Sequence, residues 1–223
     1  MADAAPDIAE MTLPEMRLAL APLIADAAVF DGWSDDALTM AAQQAGADID
    51  VARLAFPGGA IDMIAAWIET IDLAMVAELP EATLASMKIR ERIRRLVQFR
   101  LDAVAGQEEA LRRALAIMAM PQNARRALKL GWSSADVMWR LAGDTATDYN
   151  HYTKRAILAS IYAATLAVYV DDESEGKTET RAFLDRRIDG VMKFEKAKAK
   201  WLNPERESFS MTRFLGRLRY PAR

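Results

Sequence analysis

Few residues in this chain of 223 can do chemistry. Histidine occurs once, at His151, and cysteine is absent. Thiol nucleophiles, disulfides and cysteine zinc sites are thereby excluded, and one imidazole leaves little scope for a nucleophile–histidine pair. The sequence holds no glycine-rich phosphate loop and no Glu-x-x-His pair. What remains is Asp144, Asp148 and His151, spaced i, i+4 and i+7 on one side of a helix start. Two carboxylates and an imidazole at that spacing can form a weak metal or acid–base group. A fourth ligand and an outer layer of support are not recognisable, so the spacing equally suits surface recognition or a structural role. The expectation is a non-catalytic protein without metal or cofactor.

Apolar residues offer more. They make up 52% of the chain, enough to bury a sizeable core. The central region gathers Leu96, Phe99, Met118, Met120, Trp132, Met138, Trp139 and Leu141, followed by Ile161 and Tyr162. Methionine adapts to irregular shapes, so a cavity with such a lining suits a flexible apolar ligand. Leu96, Phe99, Met118, Met138, Leu141, Ile161 and Tyr162 are the candidate lipid-binding residues. Periodicity does not separate a hollow core from a filled one. Residues 156–170 carry no charge, a run too short to span a bilayer, which needs about 20 residues. They suit a core helix or a dimer interface.

Near the C-terminus, Met211, Phe214, Leu215 and Leu218 recur at i, i+3, i+4 and i+7, with Arg213 and Arg217 on the opposite side. An apolar stripe flanked by arginine suits an anionic membrane surface. It also suits a terminal helix docking on its own domain.

The elements that must position these residues are helices. Alanine and leucine abound, glycine and proline are sparse, and no stretch alternates as a strand would. Residues 1–12 read as a disordered lead. A helix from Pro14 to about residue 30 carries Met16, Leu20, Leu23, Ile24 and Ala27 on one face. Ser34 caps a second helix that ends near Gly46, and a short third covers residues 49–54. After Pro57-Gly58-Gly59 a long fourth runs from about 60 to 79. Further helices are expected at 81–105, 107–119, 123–130, 133–142, 145–171, 177–201 and 209–218, with Gly131 breaking one pair. The fold class is all-α, about ten helices. A helix-turn-helix head (13–80) precedes a ligand-binding and dimerisation body (81–201), a linker and the amphipathic helix (202–223).

A net charge of −3 conceals strong segregation. Residues 1–80 hold 2 basic and 14 acidic side chains, 81–130 hold 11 and 5, 131–176 hold 3 and 7, and 177–223 hold 13 and 6. Binding a duplex requires lysine and arginine against phosphate. The head has only Arg17 and Arg53, and its presumed recognition helix carries Asp48 and Asp50. The head therefore argues against DNA binding, and a regulator sensing an apolar effector stands as the alternative reading. The start of the chain is acidic, without a secretory or transit pattern, so a cytoplasmic protein, or a mature form, is expected.

Phe56-Pro57-Gly58-Gly59-Ala60-Ile61-Asp62-Met63, Lys88-Ile89-Arg90 and, above all, residues 139–155 (WRLAGDTATDYNHYTKR) resemble the accessory proteins of coenzyme Q (ubiquinone) biosynthesis. The following residues 156–162 and Phe183-Leu184-Asp185-Arg186-Arg187-Ile188 continue the likeness. The resemblance implies a tetracycline-repressor-type fold, a homodimer, and a pocket for isoprenoid or phospholipid. It implies that the C-terminal helix engages the membrane, so that the protein lies peripherally on the inner membrane (its matrix side in a mitochondrion). It further implies that a quinone precursor is presented to the pathway's di-iron hydroxylase. The partner patch would comprise Trp139, Asp148, His151 and Tyr152. His151 stands where the family usually has tryptophan, which weakens the aromatic part of the patch.

Overall fold

The computed structural model describes residues 8–145 and 149–202, and these contain ten α-helices and no strand. The chain divides into two compact units, 1–185 and 186–223. The expected head and most of the body therefore lie together in the first.

Residues 8–10, expected within a disordered lead, form a 3-10 turn. Helix α1 (Leu13–Asp31) then starts at Thr12, whose backbone N–H and hydroxyl both donate to Glu15, at 2.8 and 2.7 Å. Pro22 sits inside α1 and forfeits one backbone bond. The helix persists because burial of Met16, Leu20, Ala21, Ile24, Ala25 and Ala28 holds it. The expected Leu23 and Ala27 are only half-buried. Gly32, at φ +70°, ends the helix where the sequence placed its stop.

Helix α2 (Asp35–Ala45) begins under the Ser34 hydroxyl, which accepts from the Ala37 N–H at 3.2 Å. Helix α3 (Ile49–Ala55) begins under the Asp48 carboxylate, which accepts from Asp50 and Val51 at 2.8 and 3.2 Å. Both helices pack on α1, as does α4 (Ala60–Glu78). Trp33 locks this head to the body. Its indole N–H donates to the Ala110 carbonyl at 2.8 Å, and its ring lies 5.2 Å from Trp67 of α4.

The single helix expected over 81–105 is two: α5 (Glu81–Leu84) and α6 (Ile89–Asp102). Arg92 explains the break. Its guanidinium donates to the carbonyls of Ala85, Met87 and Ala142 at 2.7, 2.9 and 2.8 Å. It thus satisfies the Ala85 and Met87 carbonyls, which a continuous helix would have satisfied itself. Helix α7 (Glu108–Ala119) follows as expected. The pair expected to break at Gly131 is instead one continuous helix, α8 (Ala124–Leu141). A glycine costs a helix interior about 1 kcal/mol, and packing of α8 on α4, α6, α7 and α9 offsets it.

Helix α9 (Tyr149–Tyr169) lies against α6, α7 and α8. Asp172 closes the turn after it. One carboxylate oxygen accepts from the Ser174 N–H and hydroxyl at 2.9 and 2.5 Å, the other from the Thr180 N–H and hydroxyl at 2.8 and 2.6 Å. Helix α10 (Thr178–Leu202) begins there, and residues 186–202 of it belong to the second unit. No described helix is long and apolar enough to cross a membrane. The expected helix at 209–218, with Met211, Arg213, Phe214, Leu215, Arg217 and Leu218, lies outside the described residues.

Candidate functional site: an apolar cavity beside a charged helix junction

Helices α4, α6, α7, α8 and α9 line a half-open cavity of about 700 Å³. Its walls are almost wholly apolar. Ile64 and Trp67 come from α4, Leu111, Leu115 and Met118 from α7, and Leu128, Leu130 and Trp132 from α8. On α9 the small residues Ala156, Ala159, Ser160 and Ala163 keep the side wall low, so that α8 and α9 frame a void between them. Leu128, 76% exposed, stands at the rim.

Met118 and Tyr162, expected to bind lipid, line this cavity. Leu96, Phe99, Met138, Leu141 and Ile161 do not. Leu96 and Met138 are fully buried and Ile161 nearly so, which makes them core between helices. Phe99 and Leu141 are half-buried outside the cavity wall. All seven fall on apolar faces, but a helix in a bundle has neighbours on more than one side, and only one of them encloses the void.

The polar group that sequence reading missed is Arg100. It lines the cavity while being 1% exposed. It pairs with Asp72, and the Tyr162 ring centroid lies 4.9 Å from its guanidinium carbon. Ser134, also on the cavity wall, donates its hydroxyl to Asp72 at 3.2 Å. Burial opposes the charge on Arg100, but Tyr162 and Asp72 outweigh it and raise the arginine pKa. Burial likewise pushes the Asp72 carboxyl up, against the pull of Arg100 and Ser134. The signal was in the spacing. Arg100 falls on the stripe of Ile93, Leu96, Val97 and Leu101, the buried face of α6. An arginine on such a stripe marks a buried charge that must find a partner.

Beside the cavity, Asp136, Asp144, Lys154 and Arg155 form an ionic knot that ties the end of α8 to α9. Arg155, 2% exposed, donates to Asp136 at 2.5 Å, to Asp144 at 3.0 Å and to the His151 carbonyl at 3.1 Å. Lys154 takes the other oxygen of Asp144 at 2.6 Å. Cations thus occupy both Asp144 oxygens, which leaves the expected metal or acid–base group of Asp144, Asp148 and His151 without its first carboxylate. Asp148 lies outside the described residues. No cluster of metal-ligating side chains occurs among those described.

The aromatics expected in the partner patch form two separate contacts, Trp139 on Lys154 and Tyr152 on His151 and Trp132. The Trp139 indole N–H donates to the Lys154 carbonyl at 2.9 Å, and the Lys154 ammonium lies 5.4 Å from its ring. Tyr152 is 61% exposed, 5.2 Å from the His151 ring and 6.0 Å from Trp132.

Helix order, the three-helix head packed on a long fourth and the cavity in the helical body define the fold class. It is a TetR-type fold. The chain superimposes with a TM-score of 0.63 on the TetR transcriptional regulator from Nitrosomonas europaea, covering 80% of this chain and 98% of that one at 24% identity.

The sequence resemblance is borne out too. Residues 124–195, which hold the cavity's α8–α9 wall and the ionic knot, match the COQ9 family model. The ubiquinone biosynthesis protein COQ9, mitochondrial, of Rattus norvegicus is 34% identical over 171 residues, 72% of this chain and 54% of that protein. The Homo sapiens COQ9 is 32% identical over 171 residues, 72% and 52% of the two chains. The Schizosaccharomyces pombe coq9 is 27% identical over 157 residues, 70% and 62%. The chain spans about half the length of the mammalian relatives.

Proposed function

We propose that this chain is a non-catalytic, lipid-binding accessory protein of ubiquinone biosynthesis. It holds an isoprenoid or quinone precursor in the cavity between α8 and α9 and presents it, at an anionic membrane surface, to the hydroxylase of the pathway. The observation that carries this reading is the apolar cavity of about 700 Å³, walled on its α8–α9 side by the segment that matches the COQ9 family model. A polyprenyl tail gains about 0.8 kcal/mol per CH₂ taken from water, and such a cavity supplies the matching surface. The aromatic and ionic surface of Trp139, His151, Tyr152 and Lys154 adjoins the α8–α9 wall, which suits a docking face for the enzyme that receives the ligand. The amphipathic stripe at 211–218 would hold the protein on the membrane, and the repressor-type fold favours a homodimer.

Native mass spectrometry of the purified protein tests the reading: it should show a co-purifying apolar molecule. Ala159→Trp, which fills the cavity from α9, should remove it while the helical signal persists. Repeated absence of any ligand from the wild-type protein would sink the proposal.

The regulator reading meets a specific obstacle in the head. Arg53, the one cation of α3, is held by Asp35 at 2.7 Å and by Asp50 at 3.2 Å. Its charge is shared with two carboxylates, and the net charge of residues 1–80 is near −12. A gel shift at low salt, where phosphate contacts are strongest, should show no retarded duplex.

A further inference from the structure

The geometry points to Arg100 as the headgroup-recognition residue of the cavity, selecting amphiphiles whose head is an uncharged oxygen acceptor and rejecting those whose head is an anion. This inference rests on the lipid-binding reading above and specifies what that lipid must carry.

Three observations converge. The cavity wall carries few polar side chains, and one group of them stands together: Arg100 beside Tyr162, with Arg100 and Ser134 both on Asp72. A buried cation is an expensive feature for a wall that merely had to accommodate hydrocarbon. The second observation is an incomplete hydrogen-bond set. One guanidinium nitrogen of Arg100 is spent on Asp72, yet its Nε is buried with no acceptor among the described residues. A buried donor left unmade costs about 1–3 kcal/mol. An oxygen delivered by a ligand that seats against the guanidinium removes that cost.

The third observation is charge balance. Arg100 is already neutralised by Asp72, and Ser134 donates to the same carboxylate. A second anion here would lose its hydration and face Asp72 across a low-dielectric wall. A carbonyl, ester or phenolic oxygen loses far less and still accepts from Nε. The ligand would thus enter head first, its oxygen on the Arg100 side and its chain leaving past Leu128 and Ala163.

Equilibrium dialysis of the full chain against dodecane, methyl dodecanoate and dodecanoate tests this. The wild-type protein should bind the ester at least about tenfold more tightly than the alkane, the equivalent of about 1.4 kcal/mol, and more tightly than the carboxylate. The double variant Arg100→Met/Asp72→Leu removes both charges together, so no unpaired charge is left buried. It should bind ester and alkane equally. Arg100→Lys keeps the ion pair but lacks Nε, and should also lose the preference for the ester. Equal binding of all three probes by the wild-type protein, or a preference for the carboxylate, would overturn the headgroup assignment while leaving the lipid-binding reading intact. Failure to bind any of the three would remove the lipid-binding reading itself. The wild-type series decides the matter even if a variant fails to fold.

Discussion

At the scale of single residues, the structure separates charges that matter from charges that decorate. Arg155 is nearly inaccessible and holds two carboxylates, of which Asp144 is itself almost fully buried. Arg155→Met should cost about 3–5 kcal/mol, because it leaves buried charge without a partner. A denaturant titration followed by circular dichroism measures it. Asp172 allows a pH test. Burial raises its pKa, but bonds from Ser174 and Thr180 outweigh that, and the carboxyl is held well below the usual carboxylate range. A carboxyl depressed in the folded state contributes stability that is complete above its unfolded pKa of about 3.9. That contribution is lost as pH falls from there through the folded value. Asp172→Asn should therefore lower stability by about 1–3 kcal/mol at neutral pH. The gap between variant and wild type should narrow only below about pH 4. Thermal melts at pH 7 and at descending acid pH check both parts.

At the scale of elements, the sequence made most helices legible and misplaced two boundaries. The head was readable because its punctuation is explicit: Ser34 and Asp48 cap the helices they precede, and Gly32 and Gly46 end the helices they follow. Helix α8 was not readable in the same way. Gly131 looks like a stop, and its acceptance depends on neighbours on four helices that no local window contains. The break between α5 and α6 was hidden for a related reason: Arg92 takes up the Ala85 and Met87 carbonyls at the break and is itself anchored on the distant Ala142 carbonyl. The cavity was only half legible. Spacing placed Met118 and Tyr162 on apolar faces, but which apolar face encloses a void depends on the small residues of α9 and their distance from α8. The glycines give a paired test of this view. A Cβ at Gly131 would meet nothing within 4 Å. Gly131→Ala should thus stabilise by about 0.8–1.0 kcal/mol, raising the melting temperature by about 2–4 °C. A Cβ at Gly58 would lie 2.7 Å from the Asp62 carboxylate, which accepts from the Gly58 N–H and pairs with Arg126. Gly58→Ala should destabilise by about 1–3 kcal/mol.

At the scale of the whole molecule, charge is distributed by segment: an acidic head, a basic α6–α7 region and a basic C-terminal stretch. If the stripe at 211–218 is the membrane contact, Phe214→Asp with Leu218→Asp should abolish flotation with anionic vesicles. Raising the salt concentration should weaken the wild-type protein's flotation by screening its arginines. Unchanged flotation of the double variant would place the contact elsewhere.

Trp132 occupies two places at once. Its indole forms part of the cavity wall and also lies 6.0 Å from the exposed Tyr152 of the surface patch. An indole's emission follows the polarity of its surroundings, so filling the cavity should move this residue's fluorescence to the blue, whereas a protein settling on Tyr152 should change its intensity and anisotropy. A variant retaining Trp132 as its single tryptophan would be an optical reporter built into the native wall. With it, the order in which ligand and partner arrive could be read in real time without attaching a dye.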